Sequence, residues 1–407
     1  MNFITEILLF ANKLLLVYFL LSGLYLLVYV VSSFFRMKEK HAELTGSKRD
    51  LAIIIPAYKE DSVIYSSAIA AKEHQSHLAS VHVVVVADSL KDDTILKLSN
   101  KRIDTVEVTF KNSTKAKSIN AALAYLPDTT DYVIILDADN VMQPGAVDEL
   151  IRKASSGYSI VQGHRVAKNM NTRFAILDAV SEEVNNTIFR QGHARLGLSA
   201  ALIGSGFLAD YSMFKHMMQS IEAVGGFDKE LELLLFKHGK KISYADRAII
   251  YDEKIQHADS FYHQRRRWVS AQLIYLKRNW YEAFSALIKE GNLDYFDKVL
   301  QFALPPRILI IGLPLIMFSL SFLALQFDFI EKRIVIWWTM AFLSGFTPVI
   351  LAVPRKLWGA DVFRALVAIP AGFMMMLKAF FKVKGANKNF IHTPHEALNI
   401  NSNDHIQ

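Results

Sequence analysis

The sequence contains no cysteine among its 407 residues. This absence excludes thiol catalysis, Cys-ligated zinc and iron–sulfur chemistry. A chain of this length can bury a sizeable apolar core, so it needs no disulfide or metal to hold its fold. Internal repeats and low-complexity segments are absent as well. The length allows two or three folded units.

Apolar side chains, by contrast, are abundant. Hydrophobic residues make up 52% of the chain and the mean hydropathy is +0.21, although 21% of the residues are charged. This combination predicts a soluble domain joined to membrane segments. The net charge of +7 is compatible with nucleic acid or with a membrane surface, and the location of the charges must decide between them.

Three runs of 20 to 22 residues lack any Asp, Glu, Lys or Arg: Leu14–Phe35, Ile308–Phe327 and Ile334–Val353. At 1.5 Å per residue, each is long enough to cross a bilayer. The first run is longer than the apolar part of a signal peptide, and no small-residue cleavage site follows it. Basic residues cluster after it instead, so the positive-inside rule places residue 36 onward in the cytosol.

A fourth apolar stretch, Ala365–Leu377, has 13 residues between Arg364 and Lys378. Because 13 residues are too few to span a bilayer, we expect a basic amphipathic helix that lies in the interface. Tyr262–Trp280, which carries five Lys or Arg, is a second candidate of this kind. The positive charge therefore gathers beside the membrane, which favours membrane lipids over nucleic acid as a partner.

The pattern of apolar residues in 50–260 predicts a soluble α/β domain. Continuous apolar runs rich in β-branched residues alternate with helix-like stretches, a pattern typical of parallel strands buried on both faces of a doubly wound sheet. The predicted strands are Leu51–Ile55, Val81–Val86, Tyr132–Leu136 and, more weakly, Ser159–Gln162, and helices are predicted at Ser62–Glu73 and Ala116–Tyr125.

Polar residues follow the first two predicted strands. Pro56, Tyr58 and Glu60 follow the first strand, and Asp88 follows the second. Ligands of open α/β sheets bind at the carboxyl ends of strands, so these residues are placed to touch one. An ordinary strand-to-helix loop is the competing explanation for each of them.

Two carboxylates, Asp137 and Asp139, follow the third strand one residue apart. Like charges repel, so a pair at one strand end needs a reason. A divalent cation on diphosphate oxygens supplies it, because Mg²⁺ and Mn²⁺ accept one or two carboxylates together with substrate phosphates. The sequence therefore predicts a metal at this strand end.

Three further features are ambiguous when each is taken by itself. Gly204–Gly206 would let the backbone approach a ligand closely. Asp228 and Glu230, just after Gly225-Gly226, are either general bases or the solvated face of a helix. The segment Gln264–Trp268 offers cations and an aromatic platform for an anionic leaving group, or else membrane anchors.

Taken together and in this order, these motifs resemble those of family 2 glycosyltransferases, and above all the membrane-embedded cellulose, chitin and hyaluronan synthases. The most specific elements are Asp137-Ala-Asp139 and Gln264-Arg-Arg-Arg-Trp268, followed by membrane helices. The resemblance runs from about Leu51 to His395. It implies a GT-A fold, a nucleotide-sugar donor that is usually UDP-linked, and Mg²⁺ or Mn²⁺ as cofactor.

The resemblance also implies roles for individual residues. The donor and its nucleotide would be bound by Pro56, Tyr58, Glu60, Asp88, Lys117 and Asp137, and the metal by Asp139 together with Asp137. The acceptor sugar and the diphosphate would be bound by Gly204, Ser205, Gly206, Gln264, Arg267 and Trp268. The tail segment Phe390–His395 resembles a segment that can cover the active site.

The catalytic base is where the sequence departs from the family. The family usually has Glu-Asp at this point, with the Asp acting as the base. Alignment on Gly225-Gly226-Phe227 places Lys229-Glu230 there instead. Glu230 is therefore the predicted base and Asp228 a nearby substitute. If neither acts, the chain is a degenerate homologue.

The sequence thus predicts inverting sugar transfer onto a growing polysaccharide at the cytosolic face of the cell membrane. Three crossings are few for a channel built by one chain, so an oligomer or an export partner is expected. Single transfer to a lipid-linked acceptor is the main alternative. A non-catalytic, nucleotide-sensing membrane protein or a transporter remains a different class, although the crossing runs lack the intramembrane charges that often mark ion paths.

Five units follow from these boundaries: an N-terminal transmembrane helix (1–36), a GT-A domain (37–258), an interfacial helix region with the Gln264–Trp268 motif (259–305), a transmembrane hairpin (306–353), and a basic interfacial helix with a cytosolic tail (354–407).

Overall fold

The computed structural model describes residues 3–35, 47–221, 226–254, 256 and 258–383. Three features singled out in the sequence lie outside this range: the basic residues 36–40, Gly225 and the tail segment Phe390–His395.

One mixed sheet forms the centre of the α/β domain. Its strands are Arg49–Tyr58 (β1), Ala79–Asp88 (β2), Asp104–Val108 (β3), Tyr132–Ile135 (β4), Val141–Met142 (β5), Ile160–Ala167 (β6), Phe207–Asp210 (β7) and Ile242–Asp252 (β8). Their order in the sheet is β3-β2-β1-β4-β7-β6-β8-β5. The four strands expected from the apolar runs are all present.

Strands β1 to β4 run parallel, as predicted, whereas β7 is antiparallel to both of its neighbours. Ile53, Ile54 and Ile55 of β1 are completely buried, and each such side chain stabilises the fold by about 1.5–3 kcal/mol. The register pairs Tyr58 with Asp88, so both side chains stand at the carboxyl edge of the sheet.

Helices surround the sheet and continue into the apolar segments. They are Phe3–Ser33 (α1), Ile64–Lys72 (α2), Asp92–Asn100 (α3), Lys115–Tyr125 (α4), Ala146–Ala154 (α5), Arg173–Asn185 (α6), His193–Arg195 (α7), Tyr211–Met218 (α8), Phe227–Lys237 (α9), Ala258–Glu290 (α10), Leu293–Ala303 (α11), Arg307–Gln326 (α12), Lys332–Ala352 (α13), Ala360–Ala365 (α14) and Ile369–Phe381 (α15). A π-helical turn, Asn186–Gly192, joins α6 to α7, and 3₁₀ turns occupy Arg355–Leu357 and Leu366–Ala368.

The helices cover both faces of the sheet, each over its own core. Ile64 of α2 and Ile151 of α5 belong to one core, and Ile119 of α4 and Phe214 of α8 belong to the other. Two covered faces explain why the central strands are apolar throughout rather than alternating. The predicted α/β class is confirmed.

Within the part of the chain that the structure describes, four helical segments are long and apolar enough to cross a membrane: Glu6–Ser33, Arg307–Gln326, Lys332–Ala352 and Ala360–Phe381. The first begins earlier than the charge-free run that predicted it. Pro314 and Pro348 lie inside α12 and α13, as expected of membrane helices. The fourth segment contains the stretch predicted to be interfacial.

The C-terminal part of α1 packs against the α/β domain and α11. Tyr25 and Tyr29 donate hydrogen bonds to Asp297 Oδ1 at 2.8 and 2.9 Å. The ring of Tyr29 stacks on the imidazole of His193 with centroids 3.6 Å apart. A Cβ on Gly192 would lie 2.1 Å from the Tyr29 carbonyl oxygen, so this close approach requires glycine. Part of α1 therefore belongs to the packing of the domain.

Candidate active site

Lys115 joins two of the predicted site segments. It is the first residue of α4, and its Nζ contacts the Asp137 carboxylate and donates to the Gly204 carbonyl at 2.8 Å. The same ammonium lies 5.6 Å from the ring centroid of Phe227. A cation thus offsets the charge of Asp137 and ties the Gly204 loop to the end of β4.

Lys117, which the sequence resemblance assigned to the nucleotide, has different contacts from Lys115. Its Nζ donates to the Asn112 carbonyl at 2.8 Å and lies 5.7 Å from the ring of Phe110. The two lysines are about 200° apart around α4, because each residue turns a helix by about 100°. Lys115 is therefore the lysine that reaches Asp137, and the spacing Lys-Ala-Lys did not distinguish the two.

Asp139 is buried, with 4% of its surface exposed. Its Oδ2 accepts the Glu253 N–H at 3.1 Å. The amide of Asn140, oriented so that both of its ends are satisfied, donates to Asp139 at 3.2 Å and to Asp252 Oδ1 at 3.1 Å, and accepts from Ser205 Oγ at 2.8 Å. Asp139 is therefore held by Glu253, directly after β8, and by its own neighbour Asn140.

A buried charge cluster, defined as Arg165, Glu182, Arg190, Asp252 and Lys254, lies behind Asp139. Asp252 Oδ2 accepts from Arg165 at 2.9 Å and from Lys254 at 2.7 Å, and Glu182 accepts from Arg190 at 3.0 Å. Burial by itself would raise the pKa of Glu182, but the charges of Arg190, Lys254 and Arg165 outweigh it and hold that pKa well below its usual value.

Sequence reasoning missed this cluster, because its members are spread from the end of β6 to the end of β8. The available signal was the presence of charged residues inside strands, namely Arg165 within β6 and Asp252 at the end of β8.

The Gly204–Gly206 loop is shaped by a buried glutamine. Gln162 of β6 donates to the carbonyls of Ser205 and Gly206 at 3.0 and 3.1 Å and accepts the Ile203 N–H at 3.1 Å. Gly204 and Gly206 both have positive φ, 73° and 64°, which favours glycine at both positions. Gln162 also escaped the sequence analysis, where it ended an otherwise apolar run.

The two candidate bases, both in the first turn of α9, have different close contacts, although the charges of both act on Tyr275. Asp228 lies against the Gly204 loop, because a Cβ on Gly204 would be 3.4 Å from Asp228 Cβ. Glu230 accepts a hydrogen bond from Tyr275 Oη of α10 at 3.2 Å. Asp228 therefore stands beside the loop that Lys115 contacts, whereas Glu230 is directed to α10.

At the far side of the edge, Asp88 is 1% exposed. Ser89 donates to its Oδ1 at 3.1 Å, while Oδ2 has no hydrogen-bond partner within the described residues. A buried carboxylate oxygen of this kind is costly unless a ligand satisfies it. Tyr58 stands opposite Asp88 in the register, with Pro56 and Glu60 on the same strand-to-helix segment.

The Gln264–Trp268 motif lies in the first part of α10. Arg265 forms an ion pair with Asp178 of α6, and its guanidinium lies 4.4 Å from the ring of Trp268, which is 41% exposed. Burial lowers the pKa of the Arg267 guanidinium, which nevertheless stays a cation at neutral pH. The motif thus presents a partly exposed aromatic ring beside cations.

The donor set at the strand end fits a divalent cation. Asp137 and Asp139 supply carboxylate oxygens, the ligands that Mg²⁺ and Mn²⁺ accept alongside phosphate oxygens. Across the described ranges, no group of three His, Asp or Glu side chains is arranged to hold a metal. A cation here would therefore take its remaining ligands from the substrate and from water.

A mostly parallel α/β sheet with carboxylates at its carboxyl edge is the architecture of GT-A enzymes. The chain belongs to the family described as "Glycosyltransferase like family 2", whose model matches residues 48–271, more than half of the chain. The protein is therefore a nucleotide-sugar-dependent glycosyltransferase, an enzyme of class EC 2.4. No curated protein matches the chain.

Solved structures resemble the chain at low sequence identity. The mannosyltransferase PcManGT from Pyrobaculum calidifontis, solved with GDP-Man and Mn²⁺, is 14% identical, with a TM-score of 0.52; the match covers 86% of this chain and 98% of that one. Glucosyl-3-phosphoglycerate synthase from Mycobacterium tuberculosis, solved with Mn²⁺, UDP and glucosyl-3-phosphoglycerate, is 16% identical over 54% of this chain and 78% of that one, with a TM-score of 0.39.

Proposed function

We propose that the protein transfers a sugar, with inversion, from a nucleotide-sugar donor to a membrane-associated acceptor at the cytosolic face of the membrane. One observation carries the proposal. Four segments that are distant in sequence, those of Lys115, Asp137, Gly204 and Asp228, meet at the carboxyl edge of the sheet. A carboxylate pair for a metal and a carboxylate base thus stand on opposite sides of one glycine loop.

The donor would lie along this edge. Asp88, with its unsatisfied buried oxygen, would accept a hydrogen bond from the base or ribose beside Tyr58. Asp137 and Asp139 would hold Mg²⁺ or Mn²⁺, which, when bound, offsets charge on the departing nucleoside diphosphate. The complex of PcManGT with GDP-Man and Mn²⁺ supports a donor and a metal of this kind.

Asp228 is the better candidate for the base, and Glu230 the weaker one. Asp228 lies beside Gly204, while Glu230 is engaged by Tyr275. The Asp228 carboxylate would accept the proton of an acceptor hydroxyl as its oxygen attacks the anomeric carbon from the face opposite the leaving group. Arg267 and Trp268 of α10 would bind the diphosphate and the acceptor sugar.

We infer three membrane crossings, α1, α12 and α13, with the α14–α15 segment lying in the interface. Both ends of that segment contact the catalytic domain: Val362 and Ala365 pack on Ile176 of α6, and the Lys382 carbonyl accepts from Arg266 of α10. If the 22 residues of Ala360–Phe381 crossed the bilayer, their ends would lie on opposite sides of it, about 33 Å apart along the helix, and only one end could contact a domain on the cytosolic side. The two contacts therefore favour a helix lying flat.

A lipid-linked acceptor is favoured by the way the crossing helices pack. A Cβ on Gly23 of α1 would lie 2.2 Å from Ser344 Oγ of α13, and one on Gly345 would lie 2.9 Å from the Ile310 carbonyl oxygen of α12. Helices in such close contact leave no room between them for a polymer. A growing polysaccharide, favoured by the Gln264–Trp268 motif, is the second candidate and would need further copies or an export partner.

A donor screen with product sizing tests the function. Detergent-purified protein is incubated with UDP- and GDP-sugars, Mn²⁺ and a lipid-phosphate or oligosaccharide acceptor, and the released nucleoside diphosphate and the product length are measured. We expect metal-dependent release and addition of one sugar. A long product would favour the polysaccharide, and nucleotide binding without turnover of any donor would favour a sensor.

The same assay distinguishes the two bases. We expect Asp228→Asn to lower the transfer rate by about 10²–10⁴-fold, because it removes the proton acceptor. Glu230→Gln, the matched control, keeps an acceptor for Tyr275 and should change the rate by less than about tenfold. The opposite ranking would assign the base to Glu230.

A further inference from the structure

We propose that Asn140 and Asp252 are positioning residues that aim the Asp139 carboxylate at the metal. The inference rests on the proposed function, in which Asp139 is a metal ligand. It adds two side chains that no motif assigned, one directly after the carboxylate pair and the other at the end of β8, 112 positions away by residue number.

Asn140 joins three parts of the site. It is fully buried, and its amide nitrogen lies 3.2 Å from both carboxylate oxygens of Asp139 and 3.1 Å from Asp252 Oδ1. Its amide oxygen accepts from Ser205 Oγ at 2.8 Å, and the same Oγ accepts the Asp137 N–H at 2.9 Å. One amide therefore fixes the turn that carries both carboxylates.

Asp252 is fixed in turn by two buried cations. Arg165 and Lys254 donate to its Oδ2 at 2.9 and 2.7 Å, which leaves Oδ1 to accept from Asn140. Lys254 is 2% exposed, and Glu182 and Arg190 complete the cluster. Because two cations fix one oxygen of the Asp252 carboxylate, its other oxygen points in a single direction, toward the Asn140 amide.

The two carboxylates at the strand end thus have different supports. Lys115 offsets the charge of Asp137, whereas Asp139 accepts hydrogen bonds from the Asn140 amide and the Glu253 N–H. These two neutral donors orient the Asp139 carboxylate, and the charge of the Arg165 guanidinium also acts on it. Groups that orient metal ligands in this way typically change metal affinity or activity by about 10–100-fold when they are mutated.

The test measures Mn²⁺ affinity by electron paramagnetic resonance on the full-length protein in detergent, with UDP or GDP present. We expect Asn140→Ala and Asp252→Asn each to weaken Mn²⁺ binding by about 10–100-fold. Asp246→Asn is the matched control. Asp246 lies on the same strand, its side chain is 40% exposed, and it stands 3.9 Å from Arg195, so its Mn²⁺ affinity should equal that of the wild type.

The dependence of the transfer rate on Mn²⁺ concentration separates a positioning role from a merely structural one. If the residues position Asp139, raising Mn²⁺ to saturation should restore most of the lost kcat. If Asp252→Asn folds poorly because Arg165 and Lys254 lose their partner, a folded Asn140→Ala variant with weakened Mn²⁺ binding still supports the inference.

Folded Asn140→Ala protein with wild-type Mn²⁺ affinity would overturn the inference while leaving the proposed function intact. Failure of the wild-type protein to bind Mn²⁺ with either nucleotide would overturn the metal assignment of Asp139 and the inference with it.

Discussion

The two sides of the proposed active site are built in different ways. On the donor side, Asp137 and Asp139 follow a buried strand and are held by residues of the same domain, such as Asn140. On the acceptor side, α10 is tied by Arg265 to α6 and by Arg266 to the end of the α14–α15 segment. The donor side therefore depends on the sheet, and the acceptor side on the elements next to the membrane.

The largest effect should come from removing the metal carboxylate of the donor side. We expect Asp139→Asn to lower transfer by about 10³-fold or more, since it removes a charge that stabilises the leaving group through the metal. Membrane insertion should be unchanged, as measured by fractionation. Asp93→Asn, which changes an exposed carboxylate paired with Lys97, is the control, and full activity of Asp139→Asn would refute the metal assignment.

The buried charge cluster should be the next most sensitive. Glu182→Gln leaves Arg190 without its ionised partner and should cost about 3–5 kcal/mol. The pKa of Glu182 is held well below its usual 4.5, so the folded state stays ionised while the unfolded state takes up a proton as the pH falls. Wild-type stability should thus decline as the pH drops below about 4.5, and the variant should lack that part of the decline.

Thermal melting of the detergent-solubilised protein between pH 7 and pH 4 measures both effects. Glu331→Gln is the control, because Glu331 and Arg333 are both largely exposed and such pairs contribute about 0–1 kcal/mol. Equal melting temperatures for Glu182→Gln and wild type at pH 7 would show that the cluster does not stabilise the fold.

A smaller effect, confined to the acceptor side, is expected from Arg265→Gln. The variant loses the ion pair with Asp178 and the contact with the Trp268 ring, and an acceptor KM increase of about tenfold corresponds to about 1.4 kcal/mol. Mn²⁺ and UDP affinities should not change. Arg333→Gln, an exposed arginine, is the control. If donor binding weakened as much as acceptor binding, the two sides would not be separable.

The smallest effect should follow from Tyr275→Phe, which removes the hydrogen bond to Glu230. Burial, together with the charge of Glu230, raises the pKa of Tyr275, so the hydroxyl remains a donor over the working pH range. Its loss should destabilise the protein by about 0.5–1.5 kcal/mol with less than a threefold change in transfer. Tyr281→Phe, at an 85% exposed position, controls for the substitution in melting experiments.

The donor side could be predicted from the sequence because it depends on local pattern. Continuous apolar runs fix the strands, and parallel strands bring their carboxyl ends to one edge, so Asp88, Asp137 and Asp139 had to share it. Nothing local predicts that Asn140 meets Asp252, because that contact depends on how β8 is placed in the sheet.

The sequence pattern also could not decide between two candidate residues that lie close together on one helix. Lys115 and Lys117, and likewise Asp228 and Glu230, are two positions apart on a helix and about 200° apart around its axis. The close contacts of the two members of each pair therefore differ, and packing on the sheet and on α10 sets them. Which of Asp228 and Glu230 is the base stays a prediction.

The docking of α1 constrains the order in which the protein can be completed. Tyr25 is synthesised early, yet its hydrogen-bond partner Asp297 follows 272 residues later. At about 5–20 residues per second, the first helix waits roughly 14 to 54 s for that partner. During this interval the tyrosine hydroxyls of α1 must form hydrogen bonds with water, lipid headgroups or a chaperone. The helix is therefore made first, and its contacts with the domain form among the last.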